Sequence, residues 1–128
     1  MIQARTYRQT NTLTLPQSLR EVGPALFAAG LVLVVYLHTM APTVFPLDSA
    51  ELATAAVSLG IVHGPGYPVY LLLAHLFTYL PVGDIAYRVN LLSAFASAST
   101  VFLLVYLLQS ITERRLPAVV AGLSFGLS

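Results

Sequence analysis

The chain has 128 residues, of which 57% are hydrophobic and 9% charged, a balance outside the soluble globular range and expected of an integral membrane protein. Its net charge of +1 comes from six arginines, no lysine and five acids scattered along the chain, which offers nucleic acid no basic face. Cysteine is absent, so disulfides and thiolate metal sites are excluded.

Residues 1–21 are polar, with Arg5, Arg8 and Arg20 and no acid before Glu21, and under the positive-inside rule they read as a cytoplasmic tail. An organelle transit peptide shares that Arg-rich, acid-poor composition and is the alternative. From Val22 to Leu47, 26 residues pass without Asp, Glu, Lys or Arg, and Pro24 suits the first turn of a helix. A transmembrane helix is predicted over 22–40; its apolar part is too long for a cleaved signal peptide, and no small-x-small site follows it. Pro42 and Pro46 are expected to end it, each removing a donor and restricting the residue before it.

Residues 41–88 form the predicted extracytoplasmic loop, which holds three of the five acids: Asp48, Glu51 and Asp84. A short helix is expected near 49–62, where Leu52, Ala55, Ala56 and Leu59 recur on one face, until Gly60 and Gly64-Pro65-Gly66 stop it. It falls short of the roughly 20 residues a bilayer demands and is expected to lie along the interface. Residues 68–80, between Pro68 and Pro81, are apolar enough for lipid but also short. If they crossed, Arg114 and Arg115 would share a side with Asp48, against the positive-inside preference. If they form an interfacial or re-entrant helix, the Arg pair is cytoplasmic and Arg88 lies on the outer face, the topology preferred here.

Residues 89–112 are the second predicted span. The pairs Ser93/Ser97, Ala94/Ala98 and Ala96/Thr100, each four apart, prepare it for close approach of a neighbouring helix. Residues 116–128 begin a third span that stops short, as expected of the front of a longer protein. The fold class predicted is an all-α polytopic membrane protein.

Asp48 and Glu51, three apart, share one face of a helix. Their structural reading is a capping box, each carboxylate accepting from the other residue's amide. Their functional reading is a general base, a divalent-cation site, or both, because charge beside lipid is costly and needs a use. His63, before a Gly-Pro-Gly turn, is either a polar helix end or a site residue. Tyr67 lies inside that turn, whereas the other tyrosines fit an aromatic belt. Arg88 is either an interfacial anchor or a phosphate ligand, for which a guanidinium fork is suited. His38 and His75 are assigned no role.

The motif Asp48-Ser49-Ala50-Glu51-Leu52, the turn His63-Gly64-Pro65-Gly66-Tyr67-Pro68-Val69-Tyr70 and the segment Arg88-Val89-Asn90-Leu91-Leu92-Ser93-Ala94 together resemble the GT-C glycosyltransferases. In particular they resemble the protein O-mannosyltransferase-like family of bacterial membrane proteins, with its Asp-Ser-Gly-Glu-Leu and His-Pro-Pro-Gly-Tyr-Pro-Leu-Tyr signatures. Ala50 stands for Gly, Gly64 for Pro and Val69 for Leu. The resemblance implies GT-C-type N-terminal helices, with juxtamembrane helices in the first extracytoplasmic loop, in a bacterial cytoplasmic (inner) membrane with the N-terminus in the cytoplasm. It implies transfer of a sugar, mannose by analogy, from a polyprenyl-phosphate donor to a hydroxyl of an acceptor protein or glycan, with inversion. Asp48 would be the base and Glu51 would assist through a cation or the acceptor, while His63, Tyr67 and Arg88 would receive the departing lipid phosphate. No cofactor is assigned, although Asp48 and Glu51 admit a divalent cation.

Two readings compete with the enzyme. A transporter or flippase segment would use the acids and histidines as an ion path, with 68–80 crossing the membrane. A small assembly subunit would bind a larger partner through its Ser/Ala face, with Asp48 and Glu51 serving only as a cap.

Overall fold

The computed structural model describes residues 17–45 and 48–128, with the backbone alone for 17–21. Two long apolar helices form its frame. α1 (Gln17–Thr39) and α4 (Ile85–Thr112) are each long and apolar enough to cross a bilayer, the qualifying stretch of α1 being Val22–Thr39. α4 begins where α1 finishes, since Asn90 donates from Nδ2 to the Ala41 carbonyl at 3.1 Å. Ala25, Ala28 and Val32 of α1 bury themselves against Val101 and Val105, far along α4, so the two helices run antiparallel.

α1 starts five residues before the expected boundary, and 17–21, expected as tail, are already helical. Pro24 therefore lies inside the helix, where it removes one i to i−4 hydrogen bond. The expectations for Arg5, Arg8, the Arg20 side chain and Pro46 fall outside the described residues. The helix ends at Thr39, ahead of Pro42.

α4 also starts earlier than expected. Asp84 caps it, its Oδ1 accepting from the Tyr87 amide at 2.7 Å, so Arg88 lies inside the helix and not before it. At the far end Glu113 turns left-handed (φ 56°) and its amide closes on the Gln109 carbonyl. The chain then returns as α5 (Arg115–Gly126), antiparallel to α4, with Gly122 against Val105 and Gly126 against Val101 and Val32. Tyr36 donates to the Gly126 carbonyl and ties α1 to α5.

Between the long helices lie α2 (Ser49–Ser58) and α3 (Pro68–Thr78), both shorter than expected. Leu59 enters the left-handed region (φ 51°) and caps α2 before Gly60 is reached, which leaves its side chain exposed. Ala55 and Ala56 are buried as the periodicity predicts. Ala56 and Ala74 meet Val89 and Leu92 of α4, while Ala55 and Leu71 enclose Val62 of the connecting loop. Of the three small-residue pairs on α4, Ala94/Ala98 is buried, whereas Ser93, Ala96 and Thr100 stay exposed. The Thr100 hydroxyl satisfies itself on the Ala96 carbonyl at 2.9 Å.

Candidate active site

Asp48 occupies the N-cap of α2 without capping it. Its carbonyl accepts from the Leu52 amide at 2.9 Å, but its carboxylate takes no helix amide. The expected capping box does not form, because Glu51 has partners that no local spacing reveals. The loop after α2 doubles back and presents both N–H groups of His63 to the one carboxylate. The His63 amide donates to Glu51 Oε1 at 2.8 Å, and Nδ1 lies 2.9 Å from Oε2. The other ring nitrogen, Nε2, faces Asp48 Oδ2 at 3.8 Å.

The turn that delivers His63 is closed by the Gly66 amide on the His63 carbonyl at 3.0 Å, with Gly66 at φ +85°, where a side chain would strain the backbone. Tyr67 follows at φ 44°, a left-handed conformation that costs a non-glycine residue energy and puts its ring edge-on to His63, 6.0 Å between centroids. Beside the turn, an open apolar groove of about 420 Å³ is lined by Leu59, Ile61, Pro65, Pro68, Leu71 and Leu72.

The hydrogen bonds from the His63 ring and amide hold the Glu51 carboxyl below its usual range. The hydrogen bond to Glu51, its charge and then that of Asp48 raise His63 above its ordinary value. Two carboxylates around one imidazolium leave the cluster net negative. It can orient a hydroxyl, take up a proton or attract a cation more readily than it can receive an anion. One ligand atom from each of Asp48, Glu51 and His63 lies within 4.8 Å of the others. The expected two-carboxylate cation site thus acquires an imidazole, although an ion using Nδ1 would have to break the Glu51–His63 bond.

Arg88 is placed elsewhere. It donates from Nε to the Val82 carbonyl at 2.8 Å, from Nη1 to Thr78 at 2.7 Å and from Nη2 to Gly83 at 3.0 Å. Thr78 ends α3, so the guanidinium caps that helix and fastens it to the start of α4. His63 precedes the other end of α3, a helix ~16 Å long by its rise per residue. The structure thus assembles Asp48, Glu51, His63 and Tyr67, and among the described residues no contact joins Arg88 to them.

A family profile described as the N-terminal domain of protein O-mannosyl-transferase TMEM260 matches residues 48–126. The chain belongs to that family. Protein O-mannosyl-transferase TMEM260 of Mus musculus is 46% identical over 83 residues, which make up 64% of this chain and 12% of the relative. Protein O-mannosyl-transferase tmem260 of Dictyostelium discoideum is 28% identical over 80 residues, 58% of this chain and 10% of the relative. The chain therefore spans about an eighth of the length of these relatives or less. No solved structure matches it. Both relatives are eukaryotic, so the expected bacterial family and bacterial inner membrane find no support in them.

The TMEM260-type segment begins at Asp48 and encloses the whole cluster. It also contains polar residues that lie outside the expected site. His75 of α3 reaches the Ala56 carbonyl of α2 at 2.7 Å. Asp84 is held below the usual carboxylate range by the Thr43 hydroxyl and the Tyr87 amide, and so joins the end of the α1 connection to α4. An Asp just before an apolar helical run is a legible N-cap signal. A histidine four residues before a tyrosine on an apolar helix offers a weaker one.

Proposed function

We infer that this segment is the front of a membrane-bound mannosyltransferase. It would move mannose from a polyprenyl-phosphate donor to a hydroxyl of an acceptor protein on the extracytoplasmic side, with inversion. The observation that carries the reading is the division of labour at the start of the family segment. Glu51 spends both oxygens on His63, and Asp48 is left open, its side chain 65% exposed, with His63 as its polar neighbour. In the transfer, the acceptor oxygen bonds to the anomeric carbon as its proton passes to Asp48. The bond from that carbon to the phosphate oxygen breaks, and its electron pair leaves on the phosphate. A carboxylate is too weak a base to ionise an alcohol beforehand, so the proton moves together with bond formation.

In this scheme Glu51 is a positioning residue that holds His63 with Nε2 toward Asp48. Of the residues expected at the leaving phosphate, His63 is poorly suited, facing two carboxylates. Tyr67 keeps its hydroxyl, and Arg88 keeps guanidinium hydrogens beyond the three it spends on carbonyls. The apolar groove beside the His63 turn suits an isoprenoid chain. Antiparallel α1 and α4, with α2 and α3 held at their shared end, suit a GT-C-type polytopic fold with juxtamembrane helices. A transporter path would need 68–80 to cross, and α3 is about half the hydrocarbon thickness. The cap-only reading loses its basis, because neither carboxylate caps α2.

The test is transfer from polyprenyl-phosphate mannose by the full-length protein reconstituted in lipid. Asp48→Asn is expected to lower turnover about 10²- to 10⁴-fold, the range of a lost general base. Turnover unchanged by that substitution removes Asp48 from the role.

A further inference from the structure

His75 lies on α3, away from the cluster, and both its ring nitrogens are engaged. Nδ1 is 2.7 Å from the Ala56 carbonyl and Nε2 is 3.0 Å from the Tyr79 hydroxyl. The Ala56 carbonyl belongs to the last turn of α2, where helical amides run out. The Leu59 amide makes the last regular helical bond, to Ala55, and the Gly60 amide, which would reach Ala56 in a continuing helix, also turns to Ala55. Ala56 is 0% exposed, so its carbonyl has no route to water and would be costly to leave unpaired. The imidazole supplies the missing donor. A carbonyl only accepts, so Nδ1 must carry the hydrogen, and the neutral ring then accepts the Tyr79 O–H at Nε2. Water favours the other tautomer, which makes this one a signature of the contact.

The link lies where it controls the site. α2 carries Asp48 and Glu51 at its start, and α3 follows directly from the His63 turn. Glu51 joins the two at one place and Ala56 joins them at another, with the Ala56–Ala74 contact, both residues 0% exposed, packed alongside. With Ala56 released, α2 can slide or roll on that smooth alanine contact, and Glu51 moves with it.

We propose that His75 is a positioning residue: by capping the Ala56 carbonyl it fixes α2 on α3 so that Glu51 meets His63. The geometric part stands on the contacts alone, whereas the consequence for catalysis rests on the mannosyl-transfer reading.

The geometric part is tested on this chain, ¹⁵N-histidine labelled, in lipid nanodiscs. Long-range ¹H–¹⁵N correlation is expected to show His75 protonated at Nδ1 in the neutral ring. The Nε2–H tautomer would overturn the proposal, and this measurement needs no variant to fold. His75→Phe is expected to abolish the hydrogen-bonded His63 Nδ1–H resonance with helix content unchanged. His75→Asn, whose amide nitrogen can occupy the Nδ1 position, is expected to restore it. A His63 resonance that survives in the Phe variant also overturns the proposal. In the full-length protein, His75→Phe should cut kcat about tenfold or more with little change in KM, and the Asn variant should recover it. If the resonances behave as expected and turnover does not fall, the positioning stands and the catalytic reading of the cluster fails.

Discussion

Glu51 and His63 stabilise each other's charged forms, and the signs of their shifts fix a pH window. Glu51 is lowered from its ordinary 4.5, so its contribution is present above that value and is lost as pH falls through its lower folded value. His63 is raised from its ordinary 6.5, so its contribution is complete below 6.5 and fades as pH rises through the higher folded value. The pair is therefore fully formed between about pH 4.5 and 6.5 and weakens on the alkaline side first approached from neutrality. The His63 ring protons followed by NMR should titrate above 6.5, and Glu51→Gln should bring the midpoint down toward that value. A midpoint indifferent to Glu51 would mean that the contact does not persist in solution. Arg88 yields to a similar test. As a clamp on the carbonyls of Thr78, Val82 and Gly83 it contributes to folding, so Arg88→Ala should lower the thermal midpoint even without donor present. Arg88→Lys should recover little, since an ammonium cannot span three carbonyls with the planar fork. If both variants melt like the parent and only lose donor affinity, the phosphate role expected from the sequence accounts for the residue and the clamp does not.

At the scale of the elements, α5 meets α4 and α1 at close quarters through its glycines. A Cβ at Gly122 would run into the Val105 side chain, and one at Gly126 would come within 2.7 Å of Val101 and 2.9 Å of Val32. Gly122→Leu should therefore destabilise the α4–α5 hairpin by about 1–3 kcal/mol, the usual cost of overpacking. Because this pair is joined only by the short Glu113-Arg114 turn, the loss should appear as faster amide exchange in α5 than in α1. Uniform exchange across the helices would contradict that arrangement. Glycines four apart are a legible small-xxx-small signal in a chain this apolar, although the expected close-approach face lies on α4's serines and alanines. What is legible in the sequence rests on features that survive without tertiary context. Long charge-free runs mark the helices α1 and α4, and acids rare in an apolar chain direct attention to Asp48 and Glu51, both of which lie beside His63 in the structure. Where expectation and structure differ, the deciding partner is distant. Glu51 looked like half of a capping box because Asp48 is three residues away, yet the donors it binds lie twelve residues on and arrive only when the 59–67 loop folds back. Arg88 failed to join the site for the converse reason, because its acceptors are carbonyls, which no side-chain pattern encodes.

At the scale of the whole molecule, the antiparallel frame makes a claim about sidedness. If α1 and α4 both span, the 41–84 connection must leave and re-enter at one face, whatever α2 and α3 do between. The α4–α5 turn at Glu113 must then lie at the other face. The chain contains no cysteine, so single substitutions report position without background. Val44→Cys and Val82→Cys, at positions 49% and 43% exposed, should react with a membrane-impermeant maleimide from the same side of sealed vesicles. Ile111→Cys and Leu116→Cys, 71% and 78% exposed, should react from the opposite side. This outcome places the Asp48–Glu51–His63 cluster and the Arg88 corner in one compartment, which the proposed transfer from a lipid-linked donor requires. Labelling of positions 44 and 82 from opposite sides would require the intervening chain to thread the bilayer. A helix of ~16 Å cannot do so without unsatisfied backbone, and the whole placement of the site would have to be withdrawn.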